Sequence, residues 1–224
     1  NTQRAKYEKR VQDTDGALEI LDRYVPEKTS LFSSLEGRRE VDEDDIRHII
    51  DNRLEYNRKV KMILEMNKDI ASCEAGIVKC QIAIEGLAPW MNMDIPINTT
   101  ETEKTEVLIG TMPPGYTETS VELLIQEKDP ELKAFTVSVM GSDKDQTCMV
   151  VIALKTISGE VEEILRSHGF TKISYFSRRT PADKAEKYRE DIREFEQWIE
   201  DKKNSLTELA EDRGKLKELA DYYR

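Results

Sequence analysis

The stretch Cys148-Met149-Val150-Val151-Ile152-Ala153-Leu154 is apolar at every position and rich in β-branched residues. Such a composition favours an extended strand. Successive side chains of a strand point to opposite faces, so a run without polar residues places apolar side chains on both faces of its sheet. Strands of this kind are covered on both faces. The sequence therefore predicts a strand that lies between two layers of structure.

The residues around this strand predict a small lobe over residues 105–177. Its predicted order is strand, helix, strand, strand, helix, strand, which is the ferredoxin-like βαββαβ arrangement. Two helices of such a unit can cover only one face of the sheet, so we expect the flanking helices or a partner protein to cover the other face. The remaining predicted elements of the lobe are Val107–Gly110, Ser120–Lys128, Ala134–Met140, Val161–His168 and Lys172–Phe176.

Long helices are predicted on both sides of the lobe. Apolar residues recur every seven positions between residues 46 and 87, which keeps one seam toward a partner helix. Thr180 and Pro181 suit an N-cap and a first helical position, and a similar pattern runs from there to Arg224. Both helices would be about 60 Å long or slightly longer, which favours an antiparallel pair. The residues of the first seam are Ile49, Tyr56, Ile63, Ile70, Ile77 and Ile84.

The predicted fold class is therefore α+β, with a long antiparallel helical coiled-coil arm and the ferredoxin-like lobe at one end. Residues 1–104 form the first part of the arm, with an irregular connector at 26–41 after a first helix. Residues 105–177 form the lobe, and residues 180–224 form the returning helix. Between the second helix and the lobe, Trp90–Ile97 alternates in polarity and is predicted to be extended.

Composition argues against several kinds of protein. Charged residues make up 35% of the chain and its formal net charge is −11, which argues against binding to the phosphate backbone of nucleic acid. No apolar run reaches the roughly 18 residues that a membrane span needs. The three cysteines are too few to be a disulfide framework and are interpreted as reduced thiols in the cytosol. The chain begins at Asn1 without Met and ends inside a helical pattern, which we interpret as a piece of a longer protein.

The sequence contains no motif of a catalytic or cofactor-binding site. The acidic cluster Asp42-Glu43-Asp44-Asp45 could suggest a metal site, but carboxylates also favour the first turn of a helix. The stretch Met112-Pro113-Pro114-Gly115 is interpreted as a turn, because it lacks the spacing and the lysine of a phosphate-binding loop. We therefore predict a protein that is not an enzyme and that holds no cofactor and no metal.

Several stretches, taken in chain order, resemble a known family. They are Leu18–Pro26, Leu87–Trp90 with Asp94-Ile95, Glu106–Gly110, Val161–Leu165 with Gly169-Phe170, and Thr180-Pro181. Together they resemble the soluble cytoplasmic region of subunit I of prokaryotic V-type (A/V-type) rotary ATPases, a relative of eukaryotic subunit a. In that family these stretches belong to the arm helices and to the distal lobe.

The resemblance implies a role in holding the ATPase stationary. In that family the soluble region has two lobes joined by a coiled coil, and peripheral stalks dock on the lobes. A membrane domain beside the rotor ring follows and forms the ion channels. This chain would then be the arm and distal lobe of a non-catalytic stator subunit at the cytoplasmic face of the membrane. Its partners would be the peripheral-stalk subunits and its own membrane domain, so that ATP hydrolysis or synthesis is coupled to ion transport.

The same resemblance directs attention to one surface of the lobe. We expect the second face of the sheet or the lobe helices to bind the coiled-coil ends of a peripheral stalk. The candidate contact residues are Tyr116, Lys133, Phe135, Tyr175 and Phe176. The alternative for these side chains is packing against the helices of the chain itself.

Two functions of other classes stay open at this point. One is a coiled-coil scaffold with a dimerisation lobe, like the hinge of chromosome-organising ATPases, which a stable lobe-mediated dimer would support. The other is a ligand-sensing ferredoxin-like regulatory module. In that case the turn Met112–Gly115 would line the ligand site, and a small molecule would stabilise the fold.

Overall fold

The computed structural model describes residues 2–27, 42–174 and 177–224. The chain forms two compact units, Asn1–Val78 with Ile192–Arg224 and Lys79–Asp191, which we call the helical unit and the lobe unit. Within the described ranges no helix combines the length and the apolar character that crossing a membrane requires. The elements are α1 (Thr2–Tyr24), α2 (Glu43–Leu87), β1 (Thr105–Met112), α3 (Glu118–Lys128), β2 (Phe135–Ser142), β3 (Thr147–Leu154), α4 (Ser158–Ser167), β4 (Thr171–Lys172), α5 (Pro181–Leu209) and α6 (Arg213–Tyr223), with 3₁₀ turns at Ala88–Trp90 and Ala210–Asp212.

The lobe unit contains a four-stranded sheet in the order β2-β3-β1-β4, and all adjacent strands are antiparallel. Leu108 of β1 lies opposite Val151 of β3, and Val137 of β2 lies opposite Val151 on the other side. This strand order, with one helix after β1 and one after β3, is the arrangement expected of βαββαβ connectivity. The predicted mixture of long helices with a ferredoxin-like sheet is thus confirmed.

Strand β3 is buried on both faces, as its composition predicts. Met149, Val151 and Ala153 belong to the core that α3 and α4 cover, together with Val121 and Leu165 of those helices. We call this side the helix face. Because alternate residues of a strand point to opposite sides, Cys148 and Val150 face the other way. That side, which we call the second face, has a core of its own.

The second face is covered by residues of this same chain. Leu87 at the end of α2, Trp90 in the 3₁₀ turn, and Ala185 near the start of α5 are all buried against it. Met93 and Ile97, between the 3₁₀ turn and β1, complete this core. The cover that the sequence requires is therefore supplied by the segments that flank the lobe.

Some predicted elements of the lobe unit differ from the structure. The segment predicted to be extended from Trp90 begins as a 3₁₀ turn, so that Trp90 folds under the sheet instead of continuing a strand. The predicted last strand, Lys172–Phe176, is only Thr171–Lys172, and residues 175 and 176 lie outside the described residues. Helix α3 begins two residues earlier than predicted, since Thr117 is its N-cap.

The helical unit is built from α1, α6 and the adjoining parts of α2 and α5. Its core includes Leu21 of α1, Ile63 of α2 and Leu206 of α5, all fully buried. As residue numbers increase along α2, the numbers of their partners on α5 and α6 decrease. The helices are therefore antiparallel, as predicted. The ion pairs that show this order are Asp45–Lys215 (3.1 Å), Lys59–Asp212 (2.7 Å) and Asp69–Lys202 (2.8 Å).

Helix α1 adds a third helix that runs parallel to α2. The hydroxyl of Tyr223 on α6 accepts hydrogen bonds from Arg10 (2.9 Å) and from Asn57 (2.5 Å), which places these two side chains close together. Further along both helices, the hydroxyl of Tyr24 donates to Asn67 (3.4 Å). The predicted connector after α1 falls, from residue 28 to residue 41, outside the described residues.

The seam of α2 follows the predicted heptad only in its first part. Ile49, Tyr56, Ile63 and Ile70 are buried, whereas the later positions of that repeat are only half-buried. A straight helix has 3.6 residues per turn, so a strict seven-residue stripe drifts around it and neighbouring positions take its place. The buried residues that replace it are Cys73, Cys80 and Leu87. The predicted returning helix starts with Thr180 as its N-cap (3.2 Å to the amide of Asp183), but it is interrupted by the 3₁₀ turn at Ala210–Asp212.

Candidate docking surface

The structure places three of the five predicted contact residues. Tyr116 and Phe135 are half-buried and pack against the core on the helix face. Lys133, between them and just before β2, is exposed. Tyr175 and Phe176 lie outside the described residues. The two aromatic rings are thus positioned by the lobe's own core, at its margin, and the lysine is free to meet a partner.

Helix α3 is fixed in place by its start and by its inner face. The Thr117 hydroxyl accepts a hydrogen bond from the amide of Ser120 (3.2 Å), and the Ser120 hydroxyl accepts one from the amide of Thr117 (2.8 Å). Such a capping box satisfies two amides that a helix start leaves without partners. Val121 and Ile125 are fully buried beneath the helix. The outer face of α3 is therefore held as a rigid surface.

One large apolar side chain lies on that outer face. Leu123 is 53% exposed. It follows Val121 by two positions, or about 200° around the helix, so it points away from the core. The sequence contained this signal, because Leu123 stands outside the apolar stripe of Val121 and Ile125. A single exposed leucine is ordinary on a protein surface, and its surroundings decide whether it has a use.

Those surroundings are acidic. Helices α3 and α4 carry six glutamates and two cationic side chains, Lys128 and Arg166, which gives a net charge of −4. Burial disfavours ionisation of Glu162, but hydrogen bonds from Lys172 (2.8 Å) and Arg166 outweigh it and lower the pKa of this carboxyl below 4.5. The other glutamates are Glu118, Glu122, Glu127, Glu160 and Glu163. The helix layer therefore combines one exposed apolar side chain with an excess of carboxylates.

The neighbouring edge strand is partly closed. The Glu118 carboxylate accepts a hydrogen bond from the amide of Val139 in β2 (3.0 Å). At the next residue of the same strand, the side-chain amide of Asn92 donates a hydrogen bond to the carbonyl of Met140 (3.0 Å). Edge strands that leave such groups open pair readily with other chains. Because side chains of this chain already bond these two backbone groups, strand pairing with a partner is disfavoured there. We therefore favour the side chains of the helix layer as the contact surface.

The second face of the sheet is closed by close packing. Strand β2 has a bulge between Val139 and Gly141, and Gly141 pairs with Cys148. A Cβ atom on Gly141 would lie 2.6 Å from the carbonyl oxygen of Pro89, so only glycine lets the 3₁₀ turn approach the strand this closely. Of the two surfaces named from sequence, the helix layer is the one that the chain leaves open.

The described residues show no arrangement with evident chemistry. Within them, no group of three or more His, Cys, Asp and Glu side chains stands close enough to hold a metal ion. The acidic residues Glu43, Asp44 and Asp45 occupy the first turn of α2, where the helix dipole favours them. All three cysteines are buried and unpaired. Burial, and secondarily the charge of Asp143, raises the pKa of the Cys148 thiol from 9.0 to about 11, so this thiol stays protonated near neutral pH.

Comparison with known proteins yields a structural likeness. No family model matches the sequence, and no curated protein matches it. The fold resembles a solved one. That structure is the crystal structure of the cytoplasmic N-terminal domain of subunit I, homolog of subunit a, of V-ATPase, with a TM-score of 0.53. The match covers 99% of this chain and 68% of that chain at 12% identity, so it shows a common fold.

Proposed function

We propose that this chain is a non-catalytic stator element of a rotary V-type ATPase, the arm and distal lobe of a subunit I. The observation that carries the proposal is the likeness to the subunit I domain over 99% of the chain. A fold by itself does not fix a function. The ordered stretches of sequence that resemble the same family are consistent with the proposal.

The packing suits a part that must resist torque. In the helical unit, α1, α2 and α6 are joined by an apolar core and by hydrogen bonds through the hydroxyl of Tyr223. In the lobe unit, both faces of the sheet are buried, which leaves little freedom for the sheet to bend. We infer that the chain transmits force between the peripheral stalks and the membrane sector. ATP hydrolysis or synthesis would thereby be coupled to ion transport.

The proposed contact with the stalk is the outer side of α3 and α4. Leu123 supplies the apolar centre, and Lys133 supplies a charge at the margin. Interfaces of this kind depend on a few anchoring side chains inside a polar rim. The partner surface should then carry Lys or Arg side chains opposite the glutamates. Tyr116, Phe135, Tyr175 and Phe176 stay candidates at the margin of this contact.

The proposed function is tested by identifying the proteins that copurify with the full-length protein. An affinity tag on the chromosomal copy of the full-length protein, followed by gentle detergent extraction, should recover the catalytic and stalk subunits of a V-type ATPase. Disruption of the gene should release ATP hydrolysis in membranes from its dependence on ion flow. Recovery of the protein without any ATPase subunit would refute the stator assignment.

The docking surface is tested by substitutions on exposed side chains. Leu123→Asp and Glu127→Lys should each weaken binding of the purified peripheral-stalk subunits at least about tenfold, since about 1.4 kcal/mol corresponds to that ratio. The first variant places a charge in the apolar centre, and the second repels a basic partner. Asp145→Lys, an equal charge change in the exposed β2–β3 loop, is the matched control and should leave binding unchanged. Phe135→Ala is a poor probe because Phe135 packs on the core. Unchanged binding by both variants would remove α3 from the proposed interface.

The two alternative functions make different predictions for the purified chain. Sedimentation should give a monomer of 25.9 kDa if the chain is a stator element. A stable dimer that depends on the lobe would favour the coiled-coil scaffold. A small molecule that raises the melting temperature by several degrees would favour the ligand-sensing module.

A further inference from the structure

A groove in the helical unit has no role in the proposed function. It runs between α2 and α5 and encloses about 500 Å³. Its floor and walls combine apolar and acidic groups, and its residues are Asp69, Ser72, Cys73, Phe195, Trp198, Asp201 and Lys202. A volume of this size accommodates one or two large side chains.

The groove is dominated by an aromatic pair. Trp198 is 55% exposed, although it is among the largest apolar side chains of the protein. Its ring meets that of Phe195 edge to face, with centroids 6.1 Å apart and planes at 81°. Phe195 in turn lies against Gly76 of α2, where a Cβ atom would stand 2.8 Å from the ring. The glycine therefore forms a notch that fixes Phe195, and Phe195 supports an indole that faces solvent.

Helix α1 does not cover this groove. It contacts α2 through Leu64, near Gly16, and through Asn67, which bonds Tyr24. At 100° per residue, Asp69 in the groove lies about 200° around the helix from Asn67. The two sides of α2 thus differ, because one is covered by α1 and the other presents the aromatic pair.

The charges around the groove indicate what would bind there. Asp69 is paired with Lys202 at 2.8 Å. Among the described residues, the Asp201 carboxylate accepts a hydrogen bond only from the neutral amide of Gln197 (2.9 Å). The lining thus has two carboxylates and one ammonium group, on a chain whose net charge is −11. A cation over the face of an exposed indole is attracted by its ring quadrupole. A second copy of this acidic chain would be repelled, and a basic partner would be attracted.

We propose that this groove is a docking site for an amphipathic helix of a partner protein that carries Lys or Arg beside an apolar anchor. The anchor would lie between the aromatic pair and Cys73, and the cation would reach Asp201 or the face of Trp198. Helices recognised in this way present apolar residues three or four positions apart. This site is in the helical unit and does not depend on the stator assignment.

The test uses the complete chain and two synthetic peptides of about 20 residues, long enough to be helical in water. Both carry leucine along one face, one with lysine and the other with glutamate on the flanks. The chain has two tryptophans, and Trp90 is buried, so a change of emission on binding reports mainly on Trp198. The lysine peptide should bind and shift the emission to shorter wavelength, and the glutamate peptide should bind at least tenfold more weakly.

Variants locate the binding. Trp198→Ala and Asp201→Lys should each reduce the affinity of a fluorescently labelled lysine peptide at least tenfold, and both side chains are exposed, so the fold should persist. Leu54→Ala is the matched control, since Leu54 is an apolar residue that is 72% exposed elsewhere on α2. Equal binding by wild type and both variants overturns the proposal, as does the absence of binding. Self-association that Trp198→Ala abolishes would assign the groove to a second copy instead and overturn it as well.

Discussion

The two faces of the lobe sheet are covered in different ways. The helix face is covered by α3 and α4, which are part of the same βαββαβ segment. The second face is covered by the end of α2, the 3₁₀ turn and the start of α5, which lie outside that segment in sequence. The helix face is therefore covered by residues of the βαββαβ segment itself. The second face is covered by the ends of the two long helices and the turn that follows the first of them. We therefore propose the helix side, and not the second face, as the side of the lobe that meets a partner.

Both faces should contribute comparably to stability, and removal of one large side chain from each compares them directly. Trp90→Ala should lower the free energy of unfolding by about 3–5 kcal/mol, and Met149→Ala on the helix face by about 2–5 kcal/mol, because each leaves a cavity in a closed core. Urea unfolding of the two variants measures these values. A loss below about 1 kcal/mol for Trp90→Ala would mean that the cover of the second face is loose.

A smaller effect is expected from filling the contact between β2 and the 3₁₀ turn. Gly141→Ala places a methyl group 2.6 Å from the carbonyl oxygen of Pro89, which should cost about 1–3 kcal/mol through overpacking. Gly159→Ala in α4 is the matched control, since a Cβ atom there meets nothing within 4 Å. The control should be neutral or stabilise by up to about 1 kcal/mol. Equal melting temperatures for the two variants would show that the 3₁₀ turn can move away from β2 at little cost in stability.

The last effect concerns the pH dependence of stability and the buried thiol of the second face. The pKa of Cys148 is raised from 9.0 in the unfolded chain to about 11 in the folded one. Between these pH values the unfolded state has lost its proton while the folded state retains it. The free energy of unfolding therefore falls as the pH rises from about 9 to about 11. Below pH 9 the thiol is protonated in both states and causes no pH dependence. Cys148→Ala should flatten this decline in unfolding experiments from pH 8 to 11. An identical decline in the variant would assign it to other groups.

The sequence predicted the lobe well, and the reasons lie in particular residues. The doubly apolar strand around Val151 required two covers, and the heptads up to Ile70 required a partner helix; both requirements are local patterns. Two other features depend on contacts between distant residues. The sequence around Trp90 alternates as a strand does, whereas Trp90 itself packs against the sheet. Gly141 lies at a bulge that Pro89, far away in sequence, approaches closely.

The candidate surfaces were less visible in sequence. The sequence predicts Phe135 and Tyr116 to be exposed, but the core of the lobe holds both of them at half burial. Leu123 lies opposite the apolar stripe of its helix, and Trp198 lies at the margin of the stripe that contains Phe195. Whether such a residue is exposed depends on which helices lie beside it. That arrangement is fixed by tertiary packing, which the pattern of one helix does not contain.

The most direct test of the two-face account compares two fragments of the chain. Residues 79–191 contain both covers of the sheet, whereas residues 105–177 contain only the helix face and its strands. The longer fragment should unfold in one cooperative thermal transition and give a dispersed amide NMR spectrum. The shorter one should expose its second face and aggregate, or show no cooperative transition. A shorter fragment that folds as stably as the longer one would contradict the claim that the long helices complete the lobe.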